Sequence, residues 1–388
     1  MPIRSRPKPG SAPVAVTLPQ AGVADPKAVS RALEAWFPAA ARSLPWRSAR
    51  SGYAALVSEL MLQQTQVSRV VDAFARFMDR FPTPAALAAA PEHDVLAAWQ
   101  GLGYYRRARL LHAAARAICE RHAGEVPRTA AELESLPGIG RYTAGAIASI
   151  VHGERVPIVD GNVLRVVARL AAHPAQAGVP ADDRWAWREA GELVAAAREP
   201  GVLNEALMEL GATVCTPAAP RCTCCPLAGQ CRALAEGSAD RIPRPRRAAA
   251  RRTVHWHSLV DLDAAGIALE RRPARGLWAG MLQPPTVEAD APMAPAELSR
   301  AWGTGVREVG AFTHVTSHRT VEFRVFVPQA GSAAPPHGAG IVRVALGALA
   351  GQPLSNAAWR TLECARVPVR TPPSASAGRA ARSAPTDS

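Results

Sequence analysis

Lysine is nearly missing from this 388-residue chain. Lys8 and Lys27 are the only two, and every strongly basic side chain after them is arginine. No side-chain amine is therefore available for Schiff-base chemistry from residue 28 onward. No run of about 18 apolar residues occurs, so a membrane-spanning helix is not expected. The basic residues of Met1–Gly10 are followed by no apolar stretch, so a secretory signal is not expected either. No internal repeat is visible. Cysteine is sparse except in one place: five of the seven lie between Cys215 and Cys231. In a chain without a secretory signal, that clustering points to a metal centre rather than to disulfides.

The length suffices for two or three domains. The formal charge is +13 and the isoelectric point about 10.4, which favours a polyanionic partner, although an arginine- and alanine-rich composition also reflects a GC-rich genome. Residues 1–24 are rich in proline, alanine and arginine and read as a disordered tail. From Asp25-Pro26 to about residue 235 the periodicity is helical, and Thr83, Thr129 and Thr143 each read as a helix start. Residues 236–252 contain Pro243, Pro245 and six arginines and read as a basic linker. From Thr253 the texture changes, with Val254–Val260 and Thr320–Val327 reading as strands. Residues 253–366 are thus a second, α+β domain, and 367–388 a further disordered tail.

Three short patterns carry chemistry. Leu136-Pro137-Gly138-Ile139-Gly140-Arg141-Tyr142 reads as helix, glycine hairpin, helix, with Gly138 and Gly140 permitting a tight turn whose bare amides would hold a phosphate. Val159-Asp160-Gly161-Asn162 puts a carboxylate in a turn, where it also reads as a helix N-cap. Cys215, Cys222, Cys225 and Cys231 have the spacing C-x6-C-x2-C-x5-C, which on ligand grounds suits either zinc or iron–sulfur. Cys224 breaks that spacing and reads as a non-ligand, while Cys119 and Cys364 read as buried small apolar residues. Arg221 would ride on a metal-pinned loop and either meet a phosphate or remain solvated. Glu59, flanked by Ala55, Leu56 and Leu62 on an apolar helix, should have a raised pKa by desolvation, as a general acid needs.

Together these patterns resemble the helix-hairpin-helix DNA glycosylase superfamily in its iron–sulfur branch, and within it the MutY-type adenine glycosylases. The residues that carry the resemblance are Leu44–Arg47, Ser58–Val67, Trp99–Tyr105, the hairpin, Asp160–Val163 and Leu210–Ala212 before the cysteine quartet, so it spans roughly residues 44–231. It implies an all-α catalytic region (25–235) with a six-helix barrel module and a cluster loop at 215–231. A C-terminal α+β Nudix-like domain would follow at 253–366. It implies one [4Fe–4S] cluster on the four cysteines and excision of adenine opposite 8-oxoguanine or guanine in double-stranded DNA. A monomeric, cytoplasmic, nucleoid-associated bacterial protein that does not act at membranes is expected.

Residue by residue, the resemblance makes Glu59 the acid that protonates adenine N7. Asp160 becomes the carboxylate that stabilises or traps the sugar cation, with Tyr142 and Asn162 beside the two acids. Tyr142 stands where bifunctional relatives carry a lysine, so a monofunctional enzyme is expected. Trp46, Arg47, Leu62 and Glu205 correspond to the pocket for the flipped adenine. Gln64, Thr65, Leu102 and Tyr104 correspond to wedge and lesion contacts. Arg271–Met281 resembles the start of the C-terminal domain. Glu288, Glu297, Glu308 and Glu322 do not make the glutamate-dense helix that a catalytic Nudix box needs, so this domain is expected to read rather than hydrolyse. Phe312–His318 matches the 8-oxoguanine-reading loop, with Ser317 and His318 as hydrogen-bonding candidates and Thr316 where the family usually has phenylalanine. Two other readings are a bifunctional endonuclease III-like lyase, opposed by the lysine deficit, and a non-catalytic iron–sulfur DNA-binding protein, opposed by the presence of both Glu59 and Asp160.

Overall fold

A computed structural model describes residues 22–245, 250–335 and 340–368. Most of the tail expected at 1–24, residues 246–249 of the linker expected at 236–252 and most of the tail expected at 367–388 lie outside these residues. The chain divides into two compact units that do not follow its linear order. One is formed by the segments up to Ala41 and Val159–Arg246, the other by Arg42–Ile158 and the segment from Arg247 onward.

The first unit is helical among its described residues. Helix Pro26–Ala40 begins at Asp25, whose side chain accepts from the Ala28 amide, as the Asp-Pro signal implies. Helices Gly161–Leu170, Pro180–Ala196 and Pro200–Thr213 pack with it around Leu33, Phe37, Val167, Trp185, Leu193 and Leu207. The stretch expected to be a free basic linker belongs partly to this core: Ala239 and Ile242 are buried in it. The Ile242 carbonyl accepts from Arg169 Nε at 2.8 Å, and the Arg244 amide donates to Ala175 at 2.8 Å. Apolar side chains between the arginines find a helix face.

The second unit opens with helices Pro45–Ser48, Gly52–Leu62, Val67–Arg80, Pro84–Ala89, Glu92–Ala98, Arg106–Arg121, Ala130–Glu134 and Arg141–His152. Thr83 and Thr129 cap their helices as expected, accepting from Ala86 and Glu132. Thr143 does not. It lies buried inside helix Arg141–His152, which starts at Gly140 without a side-chain cap. Helix Gly52–Leu62 runs through the middle of the core. Tyr53, Ala54, Leu56, Val57, Ser58, Leu60 and Met61 are all buried, so it is apolar nearly all round.

The C-terminal part of this unit has eight strands among the described residues: β1 (Arg252–Leu259), β2 (Leu262–Asp263), β3 (Gly266–Arg271), β4 (Leu282–Gln283), β5 (Thr286–Ala289), β6 (Val306–Val315), β7 (Arg319–Pro328) and β8 (Ile341–Val344). One sheet has the order β5-β1-β7-β6, with β1 and β7 parallel and the other pairs antiparallel. The other contains β2, β3 and β4, with β8 on β3. Helices Pro295–Trp302 and Asn356–Cys364 complete it, Trp359 filling one core and Trp256 another. The two runs expected to be strands are β1 and β7.

Candidate active site

On helix Gly52–Leu62 one narrow stripe escapes full burial: Gly52, Ala55, Glu59 and Leu62, spaced three, four and three residues apart. Glu59 is thus a half-buried carboxyl on the single open stripe of an otherwise buried helix, which matches the apolar surroundings read from the sequence. Leu62 and Trp46 pack on the same core, Trp46 meeting Phe74 edge-on at 5.5 Å. Arg47 donates to the Arg42 carbonyl at 2.9 Å. The Gln63 amide reaches Thr143 Oγ1 at 3.4 Å, next to half-buried Tyr142 on the first turn of helix Arg141–His152.

The hairpin turn needs glycine at one position only. Gly138 has φ +77° and a Cβ there would lie 2.6 Å from Leu110. Gly140, expected to serve the same turn, has φ −98° and open space around a would-be Cβ. Its contribution is a bare backbone at a helix N-terminus, the setting that suits an anion.

Asp160 belongs to the first unit. It caps helix Gly161–Leu170, Oδ1 accepting from the amides of Asn162 at 2.9 Å and Val163 at 2.8 Å, and Oδ2 from Asn162 Nδ2 at 2.7 Å. The N-cap expected from the sequence is therefore present, and it fixes the carboxylate. Asn162 is fixed in turn: its Oδ1 accepts from Arg165 Nη2 at 2.8 Å, and the same nitrogen donates to Gly211 at 2.7 Å. Arg165 Nε donates to the Cys215 carbonyl at 2.7 Å, and Arg169 Nη1 reaches Cys215 Sγ at 3.2 Å. A hydrogen-bonded path thus runs from Asp160 through Asn162 and Arg165 to the first residue of the quartet. Burial pulls the Arg165 guanidinium below its usual value, with Arg169 adding to this and Cys215 and Asp160 opposing it. Nothing in the sequence singled out Arg165; a basic residue one turn after Asn162 was the available signal. Glu205, buried on helix Pro200–Thr213, lies in this unit, whereas Trp46, Arg47 and Leu62 lie in the other.

Cys215, Cys222, Cys225 and Cys231 are half-buried free thiols, while Cys224 is exposed and bonded to the Arg221 carbonyl. The quartet is close enough that its members bias one another. Burial, followed by the neighbouring Cys215, Cys231 and Cys222, pushes Cys225 up to about 11, and Cys231 is raised for the same reasons. Among the described residues no group of three or more His, Cys, Asp or Glu side chains is placed to hold a metal ion. Arg221 is exposed but engaged, its guanidinium donating to the Thr213 carbonyl. Cys119 and Cys364 are half-buried rather than buried.

Two expected contact residues are engaged by the fold itself. Leu102, read as a wedge, is 5 % exposed and packs in the core, its carbonyl turned to Arg107. An apolar side chain between Trp99 and Tyr105 gains more by burial than by standing in solvent. Thr316 is half-buried; its hydroxyl donates to the Arg319 carbonyl at 3.0 Å and accepts from the Arg319 amide at 3.0 Å. It closes the β6–β7 hairpin and presents no stacking face, which leaves Ser317 and His318 exposed at the tip. Ser317 Oγ lies 2.7 Å from the hydroxyl of exposed Tyr104, so the hairpin tip meets the Gly101–Tyr104 loop. Gln64 is exposed, and Thr65 is half-buried and bonded to Arg107 at 2.9 Å. The four glutamates are dispersed over different elements and engaged: Glu288 with Arg272 at 2.6 Å, Glu322 with His255 at 3.3 Å, Glu308 with Arg324 and Glu297 with its own helix N-terminus. A cavity of about 460 Å³, lined by Glu92, Arg109, His112, Arg116 and Glu120, contains none of the expected site residues.

Residues 57–185 match the model of the HhH-GPD superfamily of base excision DNA repair proteins, and residues 256–364 match the NUDIX domain. The adenine DNA glycosylase of Homo sapiens is 36% identical over 368 residues, covering 78% of this chain and 67% of that protein. The chain belongs to the adenine DNA glycosylase family. Its helical region is accordingly a helix-hairpin-helix glycosylase domain, and its C-terminal part a Nudix-like domain with two sheets. The Rattus norvegicus adenine DNA glycosylase is 46% identical over 233 residues, 57% of this chain and 45% of its own length. With the Mus musculus protein matched over 42% of its length, the chain spans somewhat under half of these two curated relatives. A solved thermostable thymine-DNA glycosylase shares the fold, with TM-score 0.50 and 24% identity over 54% of this chain and 97% of that one.

Proposed function

We propose that this protein is a monofunctional DNA glycosylase that hydrolyses the N-glycosidic bond of adenine mispaired with 8-oxoguanine or guanine. The observation that carries the reading is Glu59, a carboxyl half-buried on the one open stripe of a buried helix. Protonation of a purine leaving group needs an acid held in such a place. Asp160, held by three N–H donors, supplies a fixed negative charge for the oxocarbenium character that develops on the deoxyribose. Water is the nucleophile or the resolver of the intermediate, because residues 28–388 contain no lysine. Double-stranded DNA is the partner, approached by the Gly138–Gly140 amides, Gln64 and Tyr104, with Ser317 and His318 facing the damaged base. The protein acts as a monomer in the cytoplasm.

One [4Fe–4S] cluster would be held by Cys215, Cys222, Cys225 and Cys231, and when bound it pins the Cys215–Cys231 loop that Arg165 and Arg169 grip. The fit rests on the donor set: four thiols on one loop, near enough to raise Cys225 and Cys231 electrostatically, are the all-sulfur ligands such a cluster takes.

The test is a duplex carrying adenine opposite 8-oxoguanine. Strand scission only after hot alkali supports the reading, scission without alkali makes the protein a lyase, and none in either condition makes it a binder. Iron analysis with absorption in the iron–sulfur charge-transfer region tests the cluster, and zinc in its place would refute it.

A further inference from the structure

Two exposed residues at the expected DNA face, neither of them glycine, have left-handed backbone: Gln64 at φ +55° and Tyr104 at φ +49°. Such conformations cost free energy and persist only where the surroundings over-determine them. What over-determines both is one buried side chain. The Arg107 guanidinium donates through Nη1 to the carbonyls of Leu60 at 2.8 Å, Met61 at 2.8 Å and Gln63. Nη2 donates to Thr65 Oγ1 at 2.9 Å, Gly103 at 3.2 Å and Leu102 at 3.4 Å. Its charged carbon lies 5.3 Å from the Tyr104 ring and 5.7 Å from the Trp99 ring. The same cation therefore caps the C-terminal turn of the helix that bears Glu59 and ties down both loops. Burial lowers its pKa to about 10, which leaves it charged at neutral pH.

We propose that Arg107 is a positioning residue for mispair recognition: it holds Gln64 and Tyr104 in their strained, exposed conformations before DNA arrives. The proposal rests on the adenine glycosylase reading and adds to it the residue that pre-organises the lesion-facing loops. Lysine cannot replace it, because one ammonium with three protons does not span six acceptors on a helix end and two loops.

The experiment compares wild type with Arg107→Lys and with Thr65→Val, which removes one Nη2 acceptor and leaves the guanidinium in place. Hydrogen–deuterium exchange of the free protein is read at the amides of Gln63, Thr65 and Leu102, which are bonded within these segments. Equilibrium binding is measured to an adenine:8-oxoguanine duplex and to the fully paired duplex. Arg107→Lys should speed exchange at those amides about tenfold or more, with helix Arg141–His152 unchanged, and weaken mispair binding about tenfold or more, with paired-duplex affinity held within about twofold. Thr65→Val should show the same pattern at several-fold and decides the matter if Arg107→Lys does not fold. Unchanged exchange at the loops, exchange accelerated across the whole unit, or equal loss of affinity for both duplexes would overturn the proposal. A wild-type protein that does not prefer the mispair refutes the functional reading instead, and the exchange comparison alone then decides the clamp.

Discussion

Replacing Gly211 by alanine tests whether the placement of Asp160 depends on a close helix–helix approach. A Cβ built at Gly211 would lie 2.6 Å from Asn162 Cβ and 3.0 Å from both its Cα and its carbonyl oxygen. Two of those atoms are backbone, so no side-chain rotation relieves the clash, and helix Pro200–Thr213 must move away from helix Gly161–Leu170. Overpacking of this kind costs about 3 kcal/mol, and the better helix propensity of alanine offsets about 1. The net loss of about 2 kcal/mol corresponds to a melting midpoint roughly 4–8 °C lower. Asn162 must shift, and with it the 2.7 Å bond to Asp160 and the 2.8 Å bond from Arg165. A displacement of about 1 Å at a reacting group costs on the order of 100-fold in rate. Gly191, on helix Pro180–Ala196 with nothing within 4 Å of a would-be Cβ, supplies the opposite sign: Gly191→Ala should raise the midpoint by a few degrees. Thermal unfolding followed by circular dichroism, with single-turnover excision on the adenine:8-oxoguanine duplex, measures both. If Gly211→Ala melts at or above wild type and excises at the wild-type rate, the reasoning from helix approach to carboxylate position is wrong.

Other outcomes follow from the same geometry. Glu59→Gln should lower single-turnover excision by about 100-fold or more while leaving duplex binding intact; full activity rejects the acid assignment. Asp160→Asn should cost a comparable factor in rate with little change in melting, because asparagine caps a helix about as well as aspartate, so a large drop in stability would show that the carboxylate serves the fold instead. Gly140→Ala should leave the melting midpoint unchanged and weaken duplex binding, and equal affinity would count against a phosphate at that helix N-terminus. Burial, with Arg360 adding, lowers His314 from 6.5 to about 4 where it packs edge-on to Trp278. A depressed histidine contributes stability that is present above about pH 6.5 and lost as pH falls toward 4. Melting midpoints of the wild type should therefore fall over that window, and His314→Phe should flatten the fall.

Much of the site was legible because its signals are local. Asp160 caps its own helix through amides two and three residues away, and Asp25, Thr83 and Thr129 do the same. Gly138 is needed by the φ of its own turn, and the cysteine spacing is a property of one loop. Other readings turned on which way a side chain packs or bonds, a choice that neighbours only three residues away do not settle until the chain is folded. Leu102 reads as a wedge until Trp99 and Tyr105 are seen around it in the core. Thr316, standing where the family usually has phenylalanine, is taken up by the hairpin turn through its hydroxyl. Thr143 reads as a cap until the helix starts at Gly140.

By itself, then, the amino-acid order determined the helix starts, the hairpin, the capped carboxylate, the grouped thiols and the lack of a lysine nucleophile. Each of these is decided by sterics and hydrogen bonds within a few residues, or by composition alone. Only the tertiary structure decided that Arg107 and Arg165 hold the loops and the carboxylate, that Gly211 allows a close approach, and that the chain closes on itself in two discontinuous units. A buried guanidinium takes its meaning from carbonyls that may stand 47 residues away, as Leu60 does from Arg107, and no local pattern records which carbonyls those will be.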